Sequence, residues 1–519
     1  MKAPGHLGAR WSMGALLAAV ALVVPLSAGS AASTFVTTVN GFVNYELGAG
    51  VNERCPNSAN ACQNRAAEPA IRADRAGNFY GSSENGLTAG TEAWKSTDGG
   101  RHFTHLPSPN ILSRVASGPE GTISPAGGDT DLATASVRNS AGFFNVYVAS
   151  LEGSNTDVST SLDGGKSWRQ NLAAAKFPGE DREWIAADGA SKVCLSYVSA
   201  VGVLITPLGL HVECSYDAGN TFTQIGDAIT PGNIDSRLGF KIGNLAIDQA
   251  SNTADPTRKS DIVYASFAAG TKEDAINPNP TDFHVVWMGV SLDGGRTFND
   301  YQVYNNPNPK VGYAHNFTNV AVDRAGNVYS FFSDNHYVYY KYSTDHGKTW
   351  LPGGPSGAPI IVSEAPANTA IFPWGVAGSA GKVDLVYYGT SYYDGVNPPD
   401  SYPATAAWNV YFAQNLNAIG APSGWTQKVV SPVNHYGAVC EGGAGCTGNR
   451  DLFDDFGVAA RPGTGLAAII YSDDQYDQVN PAVSPPPDPL FPPCSPSQSN
   501  GSLCNHTSIA VQISGPGIN

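Results

Sequence analysis

The sequence predicts an all-β fold built from repeated four-stranded sheets, and three observations carry that prediction. The 519 residues include 58 glycines and 36 prolines, and only 14% are charged, so the chain is rich in turn formers and long enough for a large core. An eight-residue pattern, small-x-Asp-x-Gly-x-x-aromatic, occurs five times, at residues 96–103, 161–168, 215–222, 291–298 and 343–350. Seven strand-turn-strand units begin at Glu68, Asp129, Arg182, Ile242, Phe317, Phe372 and Asp454, about 50 to 85 residues apart. Each unit supplies two strands and the run into the eight-residue pattern supplies two more. The count is therefore seven four-stranded units, with six as the alternative.

Taken in order, residues 1–32 join Lys2 and Arg10 to an apolar run over residues 13–26 and small residues at 30–32. This reads as a secretory signal peptide cleaved near Ala32. The run is short for a membrane anchor and contains Pro25, so a single exported domain over residues 33–519 with no membrane span is expected. Residues 35–39 (FVTTV) stand alone before the first unit and are expected to close the last one as its fourth strand.

In each eight-residue pattern the Asp carboxylate can accept hydrogen bonds from turn N–H groups, and the Gly can take a positive φ. Each copy reads as a hairpin turn whose aromatic opens the next strand. Units six and seven lack the pattern. In unit six the third strand is expected at 408–414 and the fourth from Trp425; in unit seven the third is expected at 507–514. The proline-rich residues 484–502 read as a surface insertion, as do residues 393–404, and no long helix is expected.

All eight cysteines follow the expected cleavage point and fall into close pairs, 55 with 62, 194 with 214, 440 with 446 and 494 with 504. In an exported chain this reads as four local disulfides. No metal site is expected, since only His506 lies beside a pair at ligand spacing. Loss of Lys2 and Arg10 with the signal moves the net charge from -15 to -17, a surface that repels nucleic acid.

The repeated pattern at residues 161–168 (SLDGGKSW) and its four relatives resembles the Asp-box, or BNR repeat, of sialidases and other β-propellers. The resemblance implies a β-propeller, with the Asp-boxes at one face and the ligand at the other. It also implies hydrolysis of terminal sialic acid by three Arg on the sugar carboxylate, a Tyr nucleophile assisted by Glu, and an Asp acid/base. The Arg-Ile-Pro motif of sialidases corresponds here to residues 67–71 (AEPAI), where the Arg is absent. No catalytic residue is therefore carried over by motif.

In a propeller the residues preceding each innermost strand converge around the axis. That rule selects Asp129, Asp131, Glu183 and Asp454 as candidate catalytic carboxylates. Glu68, Asp181, Arg182, Trp184, Arg237, His315, Trp374 and Arg450 are the candidate sugar contacts. Arg182, Arg237 and Arg450 are expected to form an anion clamp for an acidic sugar, with Arg182 at a solvated rim. The functional expectation is a secreted, monomeric, sialidase-like glycoside hydrolase acting on a glycan. A non-catalytic propeller binding glycans or extracellular polymers is the alternative. No cofactor is expected, and room is left for a structural calcium ion.

Overall fold

The computed structural model describes residues 37–47, 67–84, 90–110, 129–152, 155–177, 180–199, 209–230, 240–249, 261–277, 279, 282–442, 446, 452–454, 456–474 and 506–519. Within them, thirty strands form seven antiparallel sheets, and the only helical turns are two short 3-10 segments, Asp274–Ile276 and Pro399–Ser401. The expected signal peptide and the Cys55/Cys62 and Cys494/Cys504 pairs fall outside the described residues.

The innermost strands are Ala67–Ala73, Thr130–Arg138, Glu180–Asp188, Phe240–Ile247, Asn319–Val322, Thr369–Ala377 and Gly457–Ala460, for blades 1 to 7 respectively. Each touches the next and the last touches the first, which closes a seven-bladed β-propeller and sets aside the six-blade alternative. Second strands such as Val263–Ala269, Val328–Ser333 and Val383–Thr390 are buried along their whole length. Neighbouring blades cover both of their faces, so these strands read as apolar and small-residue runs without polar alternation, interrupted by the buried Asp384. The core is accordingly a series of wedges between blades. Tyr147, Ala149 and Val158 of blade 2 pack on Ile185, Leu195 and Tyr197 of blade 3, and equivalent clusters recur around the ring. Where the seven innermost strands converge, a small side chain recurs in every blade. Ala73, Ala133, Ala187, Ala246, Ala321, Ala377 and Ala460, one from each blade, line an axial cavity of about 300 Å³.

The five repeated turns share one hydrogen-bond scheme. In the second copy Ser161 Oγ donates to Asp163 Oδ1 at 2.8 Å and accepts from Gly165 N at 2.7 Å, while Asp163 Oδ1 accepts from Ser167 N at 3.0 Å. The copies at Asp98, Asp217, Asp293 and Asp345 repeat these contacts. Gly165 has φ +93°, and a Cβ there would lie 2.7 Å from Leu106 of the preceding blade. The turn therefore needs glycine for both its conformation and its close seat on the neighbouring blade. Burial opposes ionisation of these aspartates, but hydrogen bonds from the turn outweigh it. Asp98 and Asp217 are held at about 2, and Asp163, Asp293 and Asp345 below the usual carboxylate range.

Blade 7 is completed from the N-terminus, with a correction to the expected strand. Phe42–Glu46 pairs with His506–Gln512 as the fourth strand, while Thr37–Val39 folds back on it as a fifth, outer strand. The hairpin between them turns on Asn40 (φ 45°) and Gly41 (φ 85°), the Asn-Gly pair that favours a tight two-residue loop. Phe42 is fully buried against Phe412 of blade 6, with ring centroids 5.1 Å apart. The disulfides Cys194–Cys214 and Cys440–Cys446 join sequence neighbours as expected, the first between directly opposed residues of adjacent strands.

Two outcomes follow from these contacts. Phe42→Ala should cost about 3–5 kcal/mol in chemical denaturation, whereas deleting residues 37–39 should cost little; equal costs would contradict the observed pairing. A carboxyl held low contributes stability above its unfolded pKa near 3.9 and loses it as pH falls towards the folded value. Asp217→Asn should therefore melt below the parent at pH 6 and converge with it near pH 2 in thermal scans.

Candidate active site at the axis

A shared backbone irregularity brings the site together. In blades 1, 3 and 6 the pairing of the innermost strand with its neighbour slips, between Ala67 and Ala70, Asp181 and Glu183, and Ile371 and Trp374. Glu68, Arg182 and Phe372 sit in these bulges with φ of 53°, 58° and 54°, and Phe453 of blade 7 has φ 57°. A left-handed residue in a bulge departs from simple strand alternation and re-aims its side chain. Four non-glycine residues held in this region mark a place where the surrounding structure over-determines the backbone.

Arg182 is the centre of the cluster. Its guanidinium contacts Asp454 Oδ2 at 2.6 Å, Asp129 Oδ2 at 3.3 Å and Glu68 Oε1 at 3.7 Å, so that one cation of blade 3 joins carboxylates of blades 7, 2 and 1. It also lies 4.0 Å from the ring centroid of Phe317 of blade 5, over which Lys241 of blade 4 sits at 4.5 Å. Arg182 is only 6% exposed, which corrects the expectation of a solvated rim position.

Glu183, the next residue, has the opposite environment. It is 1% exposed, and neither carboxyl oxygen has a hydrogen-bond partner among the described residues. Burial first, and then the charge of Asp129, push its pKa well above the usual range, with Arg182 opposing the shift. Glu183 thus sits with a raised pKa beside carboxylates that are bound to a cation.

Beneath this level a ladder of rings fills the axis. Phe317 meets Trp184 at 5.6 Å, Trp184 meets Trp374 at 5.2 Å, and Arg72 lies 5.0 Å from the Trp374 ring. Arg72 in turn contacts Asp131 Oδ1 at 2.7 Å, and Asp131 accepts from the backbone of Leu132 and Ile185. Arg72 and Trp374 also line the alanine-lined cavity, so the ladder lies between that cavity and the charged cluster.

The structure thus brings together Glu68, Asp129, Arg182, Glu183 and Asp454, with Trp184 immediately below. Asp131 and Trp374 lie deeper, in the ladder and its support. Asp181 is exposed near the cluster, and His315 is exposed beside the buried Asn316. Arg237 and Arg450 fall outside the described residues. Sequence reasoning missed Phe453, the Phe317 ring and Glu441. Glu441 is bound by Asn335 Nδ2 at 2.5 Å and Asn316 Nδ2 at 2.8 Å, and burial pushes it up to about 8. It lies in a loop outside the repeat, where periodicity offers no signal.

No protein-family model matches the chain, and no curated protein matches it in sequence. Similar solved structures include a protein of unknown function from Dyadobacter fermentans, with 14% identity and a TM-score of 0.45 over 91% of this chain and 99% of that one. An α-L-arabinofuranosidase from Fusarium graminearum shows 11% identity and a TM-score of 0.42 over 92% and 97%. A GH74 xyloglucanase from Xanthomonas campestris shows 13% identity and a TM-score of 0.44 over 79% and 51%. Similarities this distant do not bear on activity.

Removing the cation would strand buried carboxylates from three blades. Arg182→Met is expected to cost about 3–5 kcal/mol. Chemical denaturation at pH 7 checks this, and a change below about 1 kcal/mol would indicate a surface ion pair.

Proposed function

We propose that this protein is an exported glycoside hydrolase acting on neutral glycans at the axial cluster, with Glu183 as proton donor and Asp129 or Asp454 as its carboxylate partner. The observation that carries the reading is the contrast between adjacent acids. Glu183 is buried with no hydrogen-bond partner among the described residues and has a raised pKa, whereas Asp129 and Asp454 contact Arg182. Carboxyl groups whose environments separate their protonation states are what glycosidic cleavage uses. Glu183 would protonate the departing glycosidic oxygen. The partner carboxylate would either attack the anomeric carbon or deprotonate a water that does so, and the anomer of the first product distinguishes the two.

The sialic acid specificity implied by the resemblance is replaced here by a neutral sugar. Five carboxyl groups, of Glu68, Asp129, Asp181, Glu183 and Asp454, surround two cations, Arg182 and Lys241. Arg182 is already engaged by three of them, so an incoming sugar carboxylate would meet like charge. The two disulfides support export, as does the signal-like sequence at residues 1–32. The non-catalytic alternative is favoured by one feature, the saturation of Arg182 by protein carboxylates.

A panel of chromogenic glycosides, including arabinofuranoside, glucoside and sialoside, decides between these readings. Turnover of a neutral glycoside is expected, and Glu183→Gln should lower it by about 10²-fold or more. A carboxyl with a raised folded pKa destabilises the protein above its unfolded pKa. Glu183→Gln should therefore melt at or above the parent temperature at pH 8, with a smaller difference at pH 4. Binding without turnover of any glycoside would favour the non-catalytic propeller.

A further inference from the structure

Blades 5 and 6 carry an aromatic stack that the proposed reaction does not use. Tyr393, in the loop following Val383–Thr390, lies face to face on His336, with centroids 3.9 Å apart and planes inclined by 5°. Tyr337 closes on the same imidazole at 3.7 Å. Both loops join second to third strands, so they lie at the same end of the propeller as the entrances of the innermost strands. Tyr393 is nevertheless 45% exposed, with its stacked partner occupying one side of the ring.

The stack is fixed in place. His336 Nδ1 is 2.6 Å from the Asn368 carbonyl, and Asn368 Nδ2 donates to the Ser391 carbonyl at 2.9 Å, tying the two loops together. Asp394 accepts from Val396 N and Asn397 N and holds the turn after Tyr393. The residue before His336, Asn335, donates to Glu441, which also accepts from Asn316, the neighbour of the Phe317 ring that Arg182 packs on. The ring is thus supported from below, open to solvent and linked to the axial cluster through Asn335, Glu441, Asn316 and Phe317.

We propose that Tyr393, backed by His336 and Tyr337, is a distal subsite that stacks a sugar ring of a neutral polysaccharide whose reactive unit reaches the axis. An exposed, rigid aromatic face loses little conformational freedom on binding and suits the apolar face of a pyranose or furanose ring. Its tyrosine and imidazole edges leave polar groups for the hydroxyls. The assignment of a glycan rests on the axial reading above, but binding at this subsite does not require turnover.

Affinity electrophoresis of the full chain in gels containing linear arabinan or xyloglucan tests the subsite separately from catalysis. The parent and Glu183→Gln should be retarded alike by at least one polymer. Tyr393→Ala should weaken that retardation about tenfold, while Tyr393→Phe, which keeps the ring, should preserve it. The Tyr393→Ala melting temperature should stay close to the parent, separating lost binding from lost folding. Equal retardation of Tyr393→Ala and the parent, or no retardation of the parent by either polymer, would overturn the subsite. If Glu183→Gln leaves chromogenic turnover intact while retardation still depends on Tyr393, the axial mechanism fails and the subsite stands.

Discussion

A buried cation at the axis has to be neutralised, and the contacts of Arg182 show how this propeller does it. Isolated burial of a guanidinium is prohibitive, and a cation paired with hydrogen-bonded carboxylates is tolerable only with good geometry. Blades 1, 2 and 7 each contribute one carboxylate through Glu68, Asp129 and Asp454, so the pairing of one side chain fixes the relation of four blades at the axis. The same pairing has a chemical consequence. Arg182 is occupied by three other acids, and the adjoining Glu183 is buried with no hydrogen-bond partner among the described residues, so burial raises its pKa.

The two ends of the molecule divide the work. At the far end, five Ser-x-Asp-x-Gly turns close the hairpins between third and fourth strands, and their depressed carboxyls are saturated by turn donors. Those aspartates hold their own turns together, and Gly165 seats its turn on Leu106 of the preceding blade. Left-handed non-glycine backbone occurs at both ends, at Ala218 and His346 within two of these turns and at Glu68, Arg182, Phe372 and Phe453 around the axial cluster. Between the ends, the Phe317, Trp184, Trp374 and Arg72 ladder separates the charged cluster from the alanine-lined cavity.

What was legible in the sequence follows from what repeats. The seven units share a period, so the blades and their innermost strands could be placed to within a few residues, and the positions preceding those strands included most of the axial cluster. The N-terminal closure was legible only in outline. The isolated FVTTV run drew attention away from the Asn40-Gly41 hairpin and the better-buried Phe42–Glu46 strand. Bulges were invisible because Glu68 and Arg182 are not residue types that announce a left-handed backbone. The burial of Arg182 likewise depends on carboxylates distant in sequence, so a single strand could not reveal it. Glu441, Phe453 and the Tyr393 stack arise from loops and single-blade features outside the period.

Burial of Glu183 with no hydrogen-bond partner among the described residues, together with the charge of Asp129, holds its pKa above the usual range while Arg182 pairs with the neighbouring carboxylates. Site-resolved titration of the Glu183 carboxyl by carbon-13 NMR, assigned with Glu183→Gln, measures this directly. The account predicts a midpoint well above the ordinary glutamic value of about 4.3, moving down when Asp129 is replaced by Asn. A midpoint at the ordinary value and unmoved by Asp129→Asn would contradict it.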